Sequence, residues 1–468
     1  MSPDRDQRQD PILRWLRKPV EVPGSEYERR GQKGEDTRRP TLAEARRQGP
    51  RGLLRVLGPG ITTGAADDDP SAIGTYAQAG AQAGFGLLWT GLFALPMMMA
   101  VQELAQRIGL QTGVGLGTAL RRKFPAWLVT TAVATLSVSN VIVIAADLQA
   151  VAAGMELLSH GFLRASWLIA PVAVVLVGFQ LLGKYRTLFR TFKWLTLTLF
   201  AYVGAAILSH AHPLQVLAAT FVPHVEISGQ FLLLLVAVLG TTLSPYLFFW
   251  QPAEEIDDQL AAGKLSVEER ANADQDEIQS ARVDTFIGMF FSQLVAYCII
   301  LSAAAVLHEH GKTDIKTAAD AAQALTPFAG QIASVLFAAG FIGTGILAIP
   351  VLSASTAYAI NEAALIPASL AARPKRQPTF YVIIVLATAI GVAINLLHVN
   401  VIQALVIASV LSGVAAVPLL VLMTLFGADP HHMGQRASGL LSRSVTWIST
   451  AAMTLATIAL LASPVFSS

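Results

Sequence analysis

The chain has 468 residues, of which 53% are hydrophobic and 14% charged, with a mean hydropathy of +0.54. Soluble domains carry about 25% charged residues, so the composition excludes a soluble globular protein and indicates a polytopic membrane protein. The formal charge of +2 decides little, because the placement of Lys and Arg carries the information. Cys298 is the single cysteine, which excludes disulfides within the chain and a Cys-built metal cage.

Residues 1–51 are polar and mixed in charge, with Arg29–Arg30, Arg38–Arg39 and Arg46–Arg47 pairs. They are too poor in apolar residues to bury a core and are expected to form a disordered cytoplasmic tail. A short amphipathic piece around Ile12–Leu16 is suited to touching the membrane surface. The tail has no apolar core of a cleavable signal peptide, so none is expected. Windows long enough to cross a bilayer of about 30 Å then follow near 54–78 (interrupted), 85–108, 126–157, 165–183, 188–210, 229–252 (interrupted), 282–307, 330–362, 378–396, 401–425 and 444–464. The long third and eighth windows are expected to include extramembrane turns.

The basic residues test this count. With the N-terminus inside, the inner loops hold Arg107, Arg121, Arg122 and Lys123, then Lys184, Arg186, Arg190 and Lys193. Later inner loops add Lys264, Arg270, Arg282, Arg373, Lys375, Arg376, Arg436 and Arg443, whereas the outer loops hold Arg164, Lys312 and Lys316. One miscounted span would erase that asymmetry. The C-terminus is therefore expected outside a bacterial-type inner membrane.

Two of the spans are broken. Gly58 to Thr75 reads GPGITTGAADDDPSAIGT and sets Asp67, Asp68 and Asp69 against Pro70. Three carboxylates facing lipid would cost about 8–10 kcal/mol unless they line a polar cavity or lie near the surface. Pro70 removes a backbone donor, so the helix is expected to unwind and free carbonyls. Carboxylates and free carbonyls at membrane depth suit a cation, although an extramembrane turn is the plainer alternative. The second interruption, Gly240 to Tyr246 around Pro245, lies five spans later. Paired broken helices in two halves point to an inverted-repeat transporter with its site at the midplane.

These residues resemble the natural resistance-associated macrophage protein (NRAMP) divalent-metal transporters. The resemblance rests on GPG followed by Asp69-Pro70, the Pro-interrupted sixth span, Ala145-Ala146-Asp147-Leu148, Leu336–Gly340 and Ser353–Tyr358. It implies an all-α LeuT-type fold: a first repeat over 52–210, a second over 211–425, and an inner loop with an eleventh helix over 426–468. It also implies a metal site on Asp69 and Ser244, with carbonyls at Ala66 and Thr241; the adjacent Asp67 and Asp68 are placed to attract a hydrated cation or hold its outer-shell waters, with Asp68 expected in the outer shell. The chain departs from the family pattern at Ala72, which replaces an Asn ligand, and at Ser244, which replaces a Met. Span ten often supplies a Gln in the family; here its centre is apolar and Gln403 lies near its start. The family's proton-coupling groups correspond to Asp147, Ala150 and Tyr246, of which only the first is an acid.

Losing a thioether and keeping oxygen donors favours hard ions over transition metals, and a small Ser leaves room for the waters Mg²⁺ sheds reluctantly. The resemblance is therefore nearest to the NRAMP-related magnesium branch. The expected function is import of Mg²⁺ or a similarly hard divalent cation, with Mn²⁺ as second candidate and no tight proton coupling. The alternatives are another solute, such as an amino acid or inorganic anion, or a proton-coupled transition-metal importer. No cofactor is expected beyond the cation as substrate, and the expected partner is the lipid bilayer, with no nucleic acid and no obligatory protein. No His/Glu metal pair, Ser nucleophile motif or phosphate loop indicates an enzyme. Glu103 and Arg107 form an i,i+4 pair, Glu254, Glu255, Asp257 and Asp258 read as a solvated loop or an acidic vestibule, and His308, Glu309 and His310 read as solvated.

Overall fold

The structure is a computed structural model that describes Arg47 and residues 59–463, apart from 183–194, 210, 262, 265, 272, 371–373 and 398–399. The expected tail and the start of the fifth window lie outside the described residues. No strand occurs among the described residues.

The first window is two helices, α1 (Pro59–Asp67) and α2 (Pro70–Ala83). A turn at Gly84, whose φ of 55° suits a residue without Cβ, bends the chain by 106° into α3 (Trp89–Thr112). The amphipathic α4 (Leu116–Lys123) leads to α5 (Ala126–Leu158) and α6 (Ala165–Leu181). After α7 (Ala201–Leu208) and the short α8 (Pro213–Phe221), the sixth window is again split, into α9 (Gly229–Thr242) and α10 (Leu247–Ala261). The remaining windows form α11 (Gln275–Ala303), α12 (Ala333–Ala363), α13 (Pro378–Ile394), α14 (Val401–Gly427) and α15 (Leu440–Leu461). Among the described residues six helices are long and apolar enough to cross a bilayer alone, with α9 and α10 taken together.

Two expectations change. The third and eighth windows hold continuous helices of 33 and 31 residues, because neither contains a turn-forming cluster strong enough to end a run of packed apolar residues. The acidic stretch after the sixth span is not a loop either: α10 carries Glu254–Asp258 on its last turns. Glu255 and Asp257 are buried, accepting from Gln106 Nε2 at 2.6 Å and Ser369 Oγ at 2.8 Å.

Packing is reciprocal. The long α5 and α12 lie together, α3 packs on α10, and α11 packs on α2, while α14 packs on α9. Each half thus lays its second span, the first unbroken one, on the second half-helix of the other's broken span, and α11 lies along α1 as well. Close approach is bought by small residues: a Cβ on Gly64 would lie 2.4 Å from the Gly288 carbonyl oxygen, and one on Gly240 would lie 2.3 Å from that of Ser409. Val174, Leu386 and Leu455 face outward, as a lipid-exposed band should. Trp127 and Trp167 sit exposed at helix ends, with Arg164 5.8 Å from the Trp167 ring, the pattern of an interfacial belt.

Candidate cation site between the broken helices

The first break is built by its own carboxylates. Asp67 ends α1, Asp68 lies in the gap, and Asp69 is the N-cap of α2 with an extended backbone (φ −68°, ψ 168°). Asp69 Oδ1 accepts from Ala72 N at 2.7 Å and Ser71 Oγ at 2.6 Å. Pro70 at the first helical position needs no donor partner and has its φ preset. Pro70 therefore restarts the helix as much as it interrupts one. Asp147 of α5 reaches the same helix start, its Oδ1 accepting from Ser71 N at 3.0 Å.

The second break carries no charge. Between Thr242 and Leu247 the chain passes Ser244, Pro245 and Tyr246, all buried. Ser355 of α12 donates to the Tyr246 carbonyl. The Tyr246 hydroxyl crosses to the first break, 2.7 Å from the Ala66 carbonyl and 3.2 Å from Asp69 Oδ2. The Ser244 hydroxyl donates to the Thr241 carbonyl. Both carbonyls named from the sequence are thus freed from helical bonding, and both are occupied by side-chain hydroxyls. Tyr76 of α2 meets Thr242 of α9 at 3.0 Å between oxygens, tying the two breaks together.

Charge at the centre is concentrated and one-signed. Asp67, Asp68, Asp69 and Asp147 are at most 5% exposed, and none of the ion pairs among the described residues reaches them. Several kcal/mol per buried ion goes uncompensated in such a cluster, so it calls for a cation or for protons. Among the described residues no three His, Cys, Asp or Glu side chains converge on one metal position; any ion here uses one or two carboxylates completed by hydroxyls, carbonyls and water.

Asp69, Ala66, Ser244, Thr241, Tyr246 and Asp147 are brought to one region, with Asp68 beside them. Gln403 is not: it is exposed at the start of α14. The α14 contribution is Ser409, which accepts from Thr75 Oγ1 at 2.8 Å. Ser292 of α11 lies 2.8 Å from Asp67 Oδ2 and 3.2 Å from Asp68 Oδ1. Sequence reasoning missed Ser292 and Ser409, because a serine inside an apolar helix has no pattern that marks it, and took Ser355 only as part of the Ser353–Tyr358 segment, with no role. Away from the breaks, Gly60 N donates to Asp284 Oδ2 at 2.8 Å, and Gln251, Thr285 and Gln106 form a chain of hydrogen bonds to Glu255. Glu103 pairs with Arg107 at 3.3 Å as expected and also with Arg282 at 2.8 Å. His308 is not merely solvated: its Nδ1 lies 2.9 Å from the Ala81 carbonyl.

Comparison with known proteins places this geometry. A family model described as natural resistance-associated macrophage protein-like matches residues 60–463. The divalent metal cation transporter MntH of Xanthomonas campestris is 28% identical over 63% of this chain and 65% of its own length. That of Chromohalobacter salexigens is 28% identical over 62% of this chain and 66% of its own. The chain thus aligns with about two-thirds of these relatives' length. A crystal structure of a manganese transporter mutant from Eremococcus coleocola superimposes with a TM-score of 0.66 at 16% identity, covering 87% of this chain and 86% of that one. A nucleobase-cation-symport-1 family transporter superimposes with a TM-score of 0.53 at 12% identity over 86% and 90%. These likenesses establish the LeuT-type fold, five plus five spans with the first and sixth broken.

Proposed function

Because the chain belongs to the natural resistance-associated macrophage protein-like family, we propose that it is an inner-membrane transporter, not an enzyme, importing a hard divalent cation, Mg²⁺ ahead of Mn²⁺. The observation that carries this reading is the buried cluster at the first break, in which every donor within reach is oxygen. Oxygen-only sites select hard ions, and a thioether at position 244 would be needed to favour softer ones. Asp69 is the charged ligand, Ala66 and Thr241 offer carbonyls, and Ser244 a hydroxyl. The N-terminus is cytoplasmic and the C-terminus external, with repeats over 52–210 and 211–425 and a further helix after them. The ion is substrate rather than resident cofactor, and no protein partner is needed.

Direct ligation by Asp69 Oδ2 and the Ala66 carbonyl requires the Tyr246 hydroxyl to withdraw, so the described state is one in which the protein itself satisfies these oxygens. Mn²⁺ is the second reading, favoured by the names of the relatives and of the solved neighbour. Uptake by purified protein in sealed liposomes, across Mg²⁺, Ca²⁺, Mn²⁺ and Cd²⁺, tests both. Mg²⁺ uptake competed only weakly by Cd²⁺ is expected; uptake of Mn²⁺ and Cd²⁺ without Mg²⁺ would overturn the hard-ion reading.

A further inference from the structure

Beside Asp69, but turned away from it, lies a second arrangement of oxygens. One hydroxyl, Ser292 Oγ of α11, sits 2.8 Å from Asp67 Oδ2 and 3.2 Å from Asp68 Oδ1. A serine has a single proton to donate, so the two carboxylates share one donor between them. Asp67 is 1% exposed, and its other oxygen, Oδ1, has no hydrogen-bond partner. The Ser244 hydroxyl donates to the Thr241 carbonyl. A buried carboxylate oxygen without a donor is among the most costly groups a protein can keep. Asp69 is better served: its Oδ1 has two protein donors of its own, and its Oδ2 shares the Tyr246 hydroxyl with the Ala66 carbonyl.

We infer that Asp67 and Asp68, with the Ser292 hydroxyl, form a second subsite for a hard divalent cation, separate from the Asp69 position. Two carboxylates are neutralised by one dication, whereas a monovalent ion would leave a net negative charge buried. The donors are oxygens throughout, which suits Mg²⁺ or Ca²⁺. The two positions draw on different second elements: Asp69 faces the sixth span through Tyr246, and Asp67 and Asp68 face the seventh through Ser292. The inference uses the transport reading only in taking this ion to be part of the same cycle; binding itself stands apart from transport.

The test is calorimetric titration of MgCl₂ and CaCl₂ into the full chain in nanodiscs. Asp69→Asn should still bind one divalent ion per chain at neutral pH. Adding Asp67→Asn to it should abolish that binding, and adding Ser292→Ala instead should weaken it about tenfold, the loss of one charge-assisted contact. Ser292→Ala removes only a hydroxyl, and monodisperse elution of each variant checks that it is folded. No divalent binding to folded Asp69→Asn would overturn the subsite and leave the transport reading standing. Binding to Asp69→Asn that Asp67→Asn and Ser292→Ala leave unchanged would overturn it equally. Failure of the transport reading looks different: wild-type protein that binds Mg²⁺ in nanodiscs and moves none in liposomes.

Discussion

The two broken spans solve the same backbone problem with opposite means. At the first, a carboxylate closes the gap: Asp69 caps α2 with its side chain, and three acids lie within the interruption. At the second, the chain uses no charge. Its turn is held by backbone bonds, Leu247 N to the Ser244 carbonyl at 3.1 Å and Trp250 N to the Tyr246 carbonyl at 3.1 Å, and its polar groups are hydroxyls. One break is thus all acceptor, and the other reaches across to donate to it. A cation site needs this asymmetry, because two acidic breaks facing one another would repel, and two neutral ones would not hold an ion against its hydration.

The largest effect should come from removing the charge of the acidic break. Asp69→Asn keeps an acceptor for Ala72 N and Ser71 Oγ, and Asn caps helices as well as Asp, so expression and melting should change little. Divalent uptake should fall by at least about 100-fold, the scale of losing a charged contact of about 3 kcal/mol. Wild-type uptake by this variant would make Asp69 a cap and nothing more.

How far the sequence reached follows the same division. The first break was legible because three carboxylates meet Pro70 inside a membrane segment, and the second because Pro245 recurs five spans later behind the polar Thr241, Thr242 and Ser244. The positions of the helices were legible from apolar length. What was not legible depends on contacts across the bundle. Nothing near Ser292 or Ser409 marks them, Ser355 was seen only as part of the Ser353–Tyr358 segment and given no role, and each acts only because another helix passes within hydrogen-bond reach. Tyr246 was read only as the place of a lost proton-coupling group, whereas its hydroxyl bridges Ala66 and Asp69. Glu255 and Asp257 looked solvated because their partners, Gln106 and Ser369, are far away in sequence.

A moderate effect is expected from removing the donor of the neutral break. Tyr246→Phe leaves the Ala66 carbonyl and Asp69 Oδ2 without their shared hydroxyl. The fold should lose about 1 kcal/mol, the net worth of a hydrogen bond, seen as a lower melting temperature. The freed oxygens should raise apparent Mg²⁺ affinity about threefold to tenfold. An affinity that falls instead would mean that the tyrosine oxygen belongs to the ion's coordination, and the two breaks would then both be ligands.

A smaller, selective effect should follow from changing the chemistry of the second break without its charge. The Ser244 hydroxyl bonds to the Thr241 carbonyl. Ser244→Met supplies a soft sulfur at that place and should move the preference for Mn²⁺ or Cd²⁺ over Mg²⁺ by about tenfold. Competition uptake in liposomes reads the ratio directly. An unchanged ratio in a folded variant would put Ser244 outside the ion's reach.

The smallest effect predicted is none: a transmembrane pH gradient should leave the rate of Mg²⁺ uptake unchanged. The sixth break holds a phenol where a histidine would be needed to exchange protons near neutrality; phenols titrate near pH 10 and imidazoles near 6.5. The Tyr246 proton is, moreover, directed at the Ala66 carbonyl. In α5 the position three residues after Asp147 is the buried Ala150, which carries no proton. Asp147 remains, but its Oδ1 is engaged in holding Ser71 N at the start of α2, a task that asks for an acceptor. Asp147→Asn should accordingly slow uptake through its effect on that helix start while leaving the rate equally indifferent to pH gradient. Liposomes loaded with a pH-sensitive dye follow both quantities in one experiment. Lumenal acidification at a fixed ratio to the Mg²⁺ taken up would show that a proton does travel with the ion, and the contrast between a charged first break and a proton-holding sixth would no longer describe the cycle.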